Sequence, residues 1–583
     1  GFDKLIGFDM GGTSTDVSHY AGAFEKAYET EVAGAAMRVP MLSIHTVAAG
    51  GGSLLSFDGS RLRVGPQSAG ADPGPACYRR GGPLAVTDIN AALGKLDARF
   101  FPAIFGPEQD QPLDAEASRR GFAQLAQEIS AKEGAEHRTP EEVAEGLLDI
   151  ANEHMAQAIK QVSLARGHDV SGYVLNCFGG AGGQHACLVA DRLGIGQILL
   201  HPFSGVLSAY GMGLANLATE RQMVVDAPLS KALEPALDEK REALEANGRA
   251  DLAEQGAEPG VMQSVSSALL RYKGTDTVIT VALGDAARMQ ADFEAAHQRQ
   301  YGFTAREKPV VVDTLVVEVS AGGAKANETP QPPRTDTPTS KASTRFYSAG
   351  EWHEAPVFDV ADLGPGHTIS GPAIITEPTG TIVVEPNWRA SVNPLGHLVL
   401  TAQGHQTHKT IDPAIPDPVT LELFNNRYIS IAEQMGIVLQ ATAQSVNVKE
   451  RLDFSCAIFD ATGNLVANAP HVPVHLGSMD ETVRSVLASG QTSQPGDAFV
   501  QNNPHAGGSH LPDITVVSPV FDDAREEVLF FTASRAHHED VGGLSPGSMS
   551  PRGRTIHEEG VLLDNLRLVS KGARMEVYDT HRN

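Results

Sequence analysis

The sequence predicts an α/β chain that ends in an α+β segment. Short apolar runs alternate with glycine-rich turns and helical patterns over residues 1–260. β-like runs separated by Gly and Pro fill residues 345–405, and a long amphipathic pattern then opens a region rich in His and Asp. At 583 residues the chain has room for about four domains of ~150 residues. A 41% hydrophobic and 20% charged composition is ordinary for packed domains. The net charge of −26 argues against nucleic acid and anionic membrane as partners. No run approaches the ~18 apolar residues of a membrane span. Four cysteines without a paired pattern read as reduced thiols, so the expected location is the cytoplasm. The chain starts at Gly1, close to a motif and without a secretory signal, and is expected to be a fragment or a processed piece.

The best-marked element is a helix after Thr139. Thr139 caps it, Pro140 suits its first position and Glu142 completes a capping box. Val143, Leu147, Ala151, Met155, Ala158 and Val162 form its core stripe, with Gly167 as the expected stop. A strand at 173–178 then leads through GGAGG (179–183) into a helix beginning near Gln184 and closed near Gly194. Residues 261–320 read as a smaller α/β unit, 321–344 as a linker or exposed loop, and 345–410 as a β-rich unit. IDPAIPDP (411–418) reads as a boundary before the region 417–583. In the helix that follows, Leu421, Phe424, Tyr428, Ile431, Met435, Val438 and Thr442 are the expected apolar face.

Two glycine motifs carry candidate chemistry. GFDMGGTSTDVSHY (7–20) has no Lys and so is not a P-loop. Its flanking apolar residues make it strand, tight turn, strand. Gly11 and Gly12 let backbone N–H groups approach phosphate oxygens, while Thr13, Ser14 and Thr15 add hydroxyls. Asp9 or Asp16 suits Mg²⁺ or a water. Such a hairpin is the phosphate grip of actin-like and sugar-kinase-like ATPases; the plain alternative is an ordinary Gly-rich hairpin. GGAGG, with Gly179, Gly180, Gly182 and Gly183, lies between a strand and a helix, a natural anion seat. It matches a dinucleotide fingerprint only loosely and fits the adenosine side of an actin-like ATPase better. Between the two lie HTVAAGGGS (45–53) and SAGADPGPACYRRGG (68–82), in which Asp72 is a metal or substrate carboxylate and Cys77 reads as a buried or lining thiol.

The last third carries a different chemistry. His510 and Asp513 are three apart, and a hairpin of ITVVSPVF with EVLFFTAS would return His537, His538 and Asp540 alongside them. Two histidines with a carboxylate suit Mn²⁺, Fe²⁺ or Zn²⁺; the alternative is a metal-free polar cluster. In NAPHVPVHLG, His471 and His475 would lie ~13 Å apart if extended, so one at most lines the site. Glu559 reads as a solvated carboxylate near the cluster.

FDMGGTSTDVS, GADPGPACY and FGGAGGQHAC resemble the hydantoinase A/oxoprolinase family, and ERLDFSCAIFD, NAPHVPVHLGSM, GGSHLPD, AHHEDVGG and PGSM resemble hydantoinase B. Both halves lie in one chain, as in fused ATP-dependent cyclic amidases that open 5-oxo-L-proline. The resemblance implies an actin-like ATPase in the first half, with Gly11, Gly12, Thr13, Thr15 and Asp16 on phosphate and Gly179–Gly183 near the adenosine. It implies that the second half receives the activated intermediate. By similarity to related carboxylases, His510, Asp513 and His537 match a metal triad; His537 is preferred to His538 because the family pattern places a His directly after that Ala. Implied cofactors are ATP with Mg²⁺, and Mn²⁺ or another divalent transition metal at the His/Asp cluster. Asp16, Asp72 and Asp540 are the catalytic candidates, a small cyclic amide the substrate, and a homo-oligomer the expected assembly. Family members carry a further N-terminal region and a longer B part, so the segment is expected to be catalytically incomplete. Hydantoin hydrolysis, ketone carboxylation and a non-catalytic scaffold are the alternatives.

Overall fold

The computed structural model describes the chain except residues 1, 28–29, 33–34, 38–40, 132–136, 164–167, 325–327, 405–417, 470–471, 525, 548–549 and 576–583. Contacts gather it into two compact units. One comprises Gly1–Gln222, Glu239–Ser266 and Val316–Leu423; the other comprises Met223–Asp238, Ser267–Leu315 and Phe424–Asn583.

The first unit is built on an eight-stranded mixed sheet. In chain order its strands are β1 (Lys4–Met10), β2 (Thr15–Ala21), β3 (Ile44–Val47), β4 (Val174–Phe178), β5 (Gln197–Leu200), β6 (Thr368–Ser370), β7 (Trp388–Val392) and β8 (Leu398–Ala402). Their spatial order is β6-β7-β8-β5-β4-β1-β2-β3. β1 pairs antiparallel with β2 and parallel with β4, and β4 pairs parallel with β5. An antiparallel hairpin continued by parallel strands is the arrangement the actin-like reading requires. Alternation puts Ile6, Phe8, Met10 and Val17 in the core.

Helices α1 (Val86–Ala92), α2 (Pro140–Val162) and α3 (Ala186–Leu193) cover this sheet. In α2 the Thr139–Glu142 capping box forms and all six expected stripe residues are buried. The helix ends at Val162, ahead of the expected stop at Gly167, which lies outside the described residues. Helix α4 (Leu207–Leu214) follows β5. A second sheet, Ala342–Ser348, Glu351–Asp359, Ala373–Glu377 and Gly380–Val384, takes part of the β-rich stretch, whose other strands, β6, β7 and β8, complete the eight-stranded sheet.

In the second unit, α5 (Ala286–Tyr301) packs Met289 and Phe293 against Leu270, Tyr272, Ile279 and Val281. Helix α6 (Pro418–Thr442) exists as expected, but its buried face differs. Leu421, Phe424 and Ile431 are exposed, while Ala432 is buried and Met435 and Leu439 pack on Val448, Phe454 and Cys456. Apolar residues surround much of this helix, so a step of three and four picks a face without identifying the buried one. The boundary IDPAIPDP lies almost wholly outside the described residues. An antiparallel seven-stranded sheet follows, centred on β9 (Phe454–Asp460), β10 (Asp513–Phe521) and β11 (Val528–His537), with β11 between the other two. Helix α7 (Pro473–Ala488) packs Met479, Val483 and Val486 on Phe459, Phe499 and Phe531. From Pro473 onward NAPHVPVHLG is helical rather than extended, which a Pro in the first turn favours.

Candidate functional site

In the first unit three glycine-bearing loops meet at the end of β1. The β1–β2 turn holds Gly11, Gly12 and Thr13, and cross-strand register puts Asp9 opposite Asp16. The turn residues Gly12 and Thr13 are exposed. Thr15 is buried, and its hydroxyl donates to the Ala49 carbonyl at 2.5 Å. Thr15 thus holds the next loop and has no hydroxyl proton left for a ligand. That loop, Gly50–Gly52, lies against the hairpin: Gly51 and Gly52 donate to the carbonyls of Gly11 and Gly12 at 3.1 and 2.6 Å. A Cβ on Gly50 would sit 2.6 Å from the Ser14 nitrogen. HTVAAGGGS is thereby part of the site, a role its sequence alone does not reveal.

GGAGG closes the other side. Gly179 has φ 85°, and a Cβ there would meet the Met10 carbonyl and an Asp9 carboxylate oxygen at 2.4 and 2.5 Å. Gly180 is exposed, whereas Gly182 and Gly183 are buried. Gly182 fits against Cys177, and Gly183 against Thr381 and Ile382. Those two glycines serve close packing, while Gly180 stays open to solvent. The residues after β5 complete the cradle: Ser208 donates to Asp9 at 3.1 Å and Ser204 to Glu377 at 3.0 Å. Thr46 donates to Asp16 at 2.5 Å.

Burial raises the Asp9 carboxyl above its usual range; the Ser208 bond opposes this and the Asp16 charge adds to it. Burial also raises Glu377. A cradle of backbone N–H groups and carboxylates suits a phosphate with its divalent cation, because the cation offsets the acidic charge. Asp72 is exposed in a loop tied to the cradle through Ala69, which donates to the Gly52 carbonyl at 2.8 Å. Cys77 is fully buried, and burial pushes its thiol well above the ordinary range, which disfavours the thiolate a nucleophile needs.

The second unit gathers the His/Asp cluster. β10 and β11 pair with Asp513 directly opposite His537, as the expected hairpin requires. His537 Nδ1 lies 2.9 Å from Asp513 Oδ1, and His510 Nδ1 3.1 Å from Asp513 Oδ2. The nearest donor atoms of the three residues all lie within 4.8 Å of one another. Two imidazoles and a carboxylate at that spacing fit a divalent transition ion. Asp513 is buried, which would raise its carboxyl, but bonds from His475, His510, Ser509 and His537 outweigh burial and hold it well below the usual range. The Asp513 bond raises His510.

Two further residues join the cluster: His475, one of the two histidines of which one at most was expected to line it, and Asp453, which the sequence did not single out. His475 on α7 places Nε2 3.3 Å from Asp513 Oδ2 and 3.6 Å from Asp453 Oδ1, and Asp453 Oδ2 lies 4.0 Å from His537 Nδ1. The Pro473 helix start is the signal that would have placed His475; Asp453 depends on β9 pairing with β11, which no local pattern reveals. His471 lies outside the described residues. His538 and Asp540 are exposed, and Asp540 accepts the Gly542 N–H at 2.8 Å. Glu559 is exposed. Among the described residues no helix is long and apolar enough to cross a membrane.

Comparisons with known proteins cover most of the chain. Residues 1–221 match Hydantoinase/oxoprolinase, 231–399 its C-terminal domain and 417–581 Hydantoinase B/oxoprolinase. The chain is 44% identical over 587 residues to 5-oxoprolinase 1 of Arabidopsis thaliana, covering 98% of this chain and 46% of that one. It is 42% identical to 5-oxoprolinase of Dictyostelium discoideum, covering 97% and 45%. The chain thus spans about half the length of the curated relatives it matches. The crystal structure of ATP-dependent caprolactamase from Pseudomonas jessenii superposes with TM-score 0.61 at 27% identity, over 69% of this chain and 59% of that one. The chain belongs to the hydantoinase/oxoprolinase family and carries A-type, C-terminal and B-type parts in one polypeptide.

Proposed function

We propose that the whole protein opens 5-oxo-L-proline to L-glutamate at the expense of ATP, giving ADP and phosphate. The observation that carries the reading is a phosphate-type cradle and a His/Asp cluster within one chain that aligns over 97–98% of its length with proteins named 5-oxoprolinase. A lactam resists water because its nitrogen donates into the carbonyl. Transfer of the γ-phosphoryl group to the lactam oxygen forms an O–P bond and removes that resonance. Water then adds to the ring carbon and the C–N bond breaks as the nitrogen takes a proton, leaving an acyl phosphate; a second water attacks that carbon and displaces phosphate with the former carbonyl oxygen.

In this reading the Gly12 N–H and the Thr13 hydroxyl hold phosphate oxygens, Gly11 shapes the turn with its own N–H given to the Ser14 carbonyl at 3.1 Å, and Gly179 and Gly180 border the nucleoside. Asp9 and Asp16 would hold Mg²⁺, whose charge neutralises the phosphates. Asp16, on the open face of the hairpin, directs phosphoryl transfer. Asp72 is assigned to the substrate side. His510, Asp513 and His537 would hold Mn²⁺ or a similar ion, which supplies electrophilic assistance to hydrolysis. Asp540 has no role in this scheme because its carboxylate caps its own turn. We assign the ATPase to residues 1–260 with the small unit 261–320, linker 321–344 and β-rich unit 345–410, and hydrolysis to 417–583. Cytoplasmic action as a homo-oligomer completes the reading, and light scattering tests the assembly.

The test is turnover by the full-length protein. ADP and glutamate forming one to one, each dependent on the other substrate, is the expected result. ADP release indifferent to 5-oxoproline contradicts it and moves the assignment to hydantoins or larger lactams, the latter favoured by the caprolactamase likeness.

A further inference from the structure

Three residues of helix α1 reach three separate loops. Thr87 gives both its backbone N–H and its hydroxyl to the Gly51 carbonyl, at 2.7 and 2.8 Å. Gly51 in turn donates to the Gly11 carbonyl, so α1 holds the β1–β2 turn through one intermediate loop. Asp88 is fully buried and accepts the N–H groups of Ala76 and Cys77 at 2.9 and 2.8 Å, which anchors the loop carrying Asp72. Asn90 is fully buried as well. Its amide Nδ2 donates to Gln184 Oε1 at 2.9 Å and to His185 Nε2 at 3.1 Å. Gln184 and His185 directly follow GGAGG.

The donors run in one direction. Asn90 uses both amide protons, so His185 accepts at Nε2 and carries its own proton on Nδ1, which donates to Asn152 Oδ1 on α2 at 2.8 Å. Burial favours the neutral imidazole that this pattern requires. Apolar packing holds α1, α2 and α3 together whichever way the connecting loops turn, whereas hydrogen bonds of fixed direction select one loop orientation.

We propose that Asn90 is a positioning residue for the nucleotide: it fixes the spacing between the turn that takes the phosphates and the GGAGG loop that borders the nucleoside. The proposal rests on the nucleotide reading given above. Being buried, Asn90 touches no ligand itself and acts through Gln184 and His185. A ligand that spans both sides gains from a fixed spacing, because binding at one side raises its effective concentration at the other. A ligand that occupies one side alone has no such gain.

The test compares ligands that span the cradle with ligands that do not. Full-length wild type and Asn90→Ala are loaded with a fluorescent ATP analogue, which is displaced by Mg²⁺–ADP, Mg²⁺–pyrophosphate or adenosine. Circular dichroism confirms folding. ADP binding about 10-fold weaker in the variant is expected, the order of one or two lost hydrogen bonds, with pyrophosphate and adenosine each within about twofold of wild type. Unchanged ADP affinity overturns the proposal. So does a loss shared by ADP and either fragment, which a merely structural or one-sided role would give. Wild type that binds neither ADP nor the analogue overturns the nucleotide reading itself. Thr87→Val removes only the hydroxyl bond to Gly51 and should show the same pattern; if Asn90→Ala does not fold, ADP affinity within about twofold of wild type in Thr87→Val overturns the proposal.

Discussion

Replacing Gly50 by Ala tests whether the glycine loops form one cradle. The added Cβ would lie 2.6 Å from the Ser14 nitrogen and the Thr13 carbonyl carbon and 2.8 Å from the Thr13 nitrogen, against 3.4 Å or more in ordinary contact. The clash is with backbone on both sides, so about 0.8 Å of movement falls on the β1–β2 turn or on Gly50–Gly52. Overpacking of this kind costs ~1–3 kcal/mol. If the strain is relieved by displacing the N–H groups of the turn, that cost appears as ~5–150-fold weaker nucleotide binding. Titration of ADP with Mg²⁺ by calorimetry reads it, with circular dichroism as the check on folding. Affinity within twofold of wild type, in a folded variant, would refute the cradle.

Three further outcomes are expected. Ser208→Ala removes the bond that restrains Asp9, raising its carboxyl further; because cation binding needs the ionised form, the acid limb of Mg²⁺–ADP binding moves to higher pH, and an unmoved limb would count against Asp9. Burial lowers the His185 imidazole to about 3, so the folded state binds fewer protons than the unfolded state below pH 6.5. Stability is complete above that pH and declines as pH falls toward 3, by on the order of several kcal/mol. His185→Asn should flatten urea-unfolding stability against pH across that window, and an unchanged slope would exclude this group. Thr139→Ala removes the capping bond to the Glu142 N–H and should cost about 1 kcal/mol in urea unfolding; no measurable loss would mean the α2 cap is redundant.

What the sequence revealed divides along physical lines. Local signals were reliable: the Thr139–Glu142 box set the start of α2, alternation around Gly11–Gly12 gave the β1–β2 hairpin, and spacing put Asp513 beside His537. Long-range packing was not legible. Nothing near Thr15 shows that its hydroxyl is committed to Ala49, thirty-four residues away, or that Gly182 and Gly183 are needed for packing. Asp453 reaches the cluster through strand pairing alone, and His475 through a helix that a Pro inside a strand-like run disguised. The apolar face of α6 was misjudged because that helix is apolar over most of its circumference.

The central claim is that the lactam oxygen itself is phosphorylated, and oxygen tracing addresses it most directly. Full-length protein is given ATP and 5-oxoproline carrying ¹⁸O in its ring carbonyl, and the phosphate and glutamate are analysed by mass spectrometry. The account predicts one ¹⁸O in the phosphate for each glutamate formed. Unlabelled phosphate, with the ¹⁸O retained in glutamate, would contradict the proposed transfer to the lactam oxygen followed by water attack at carbon.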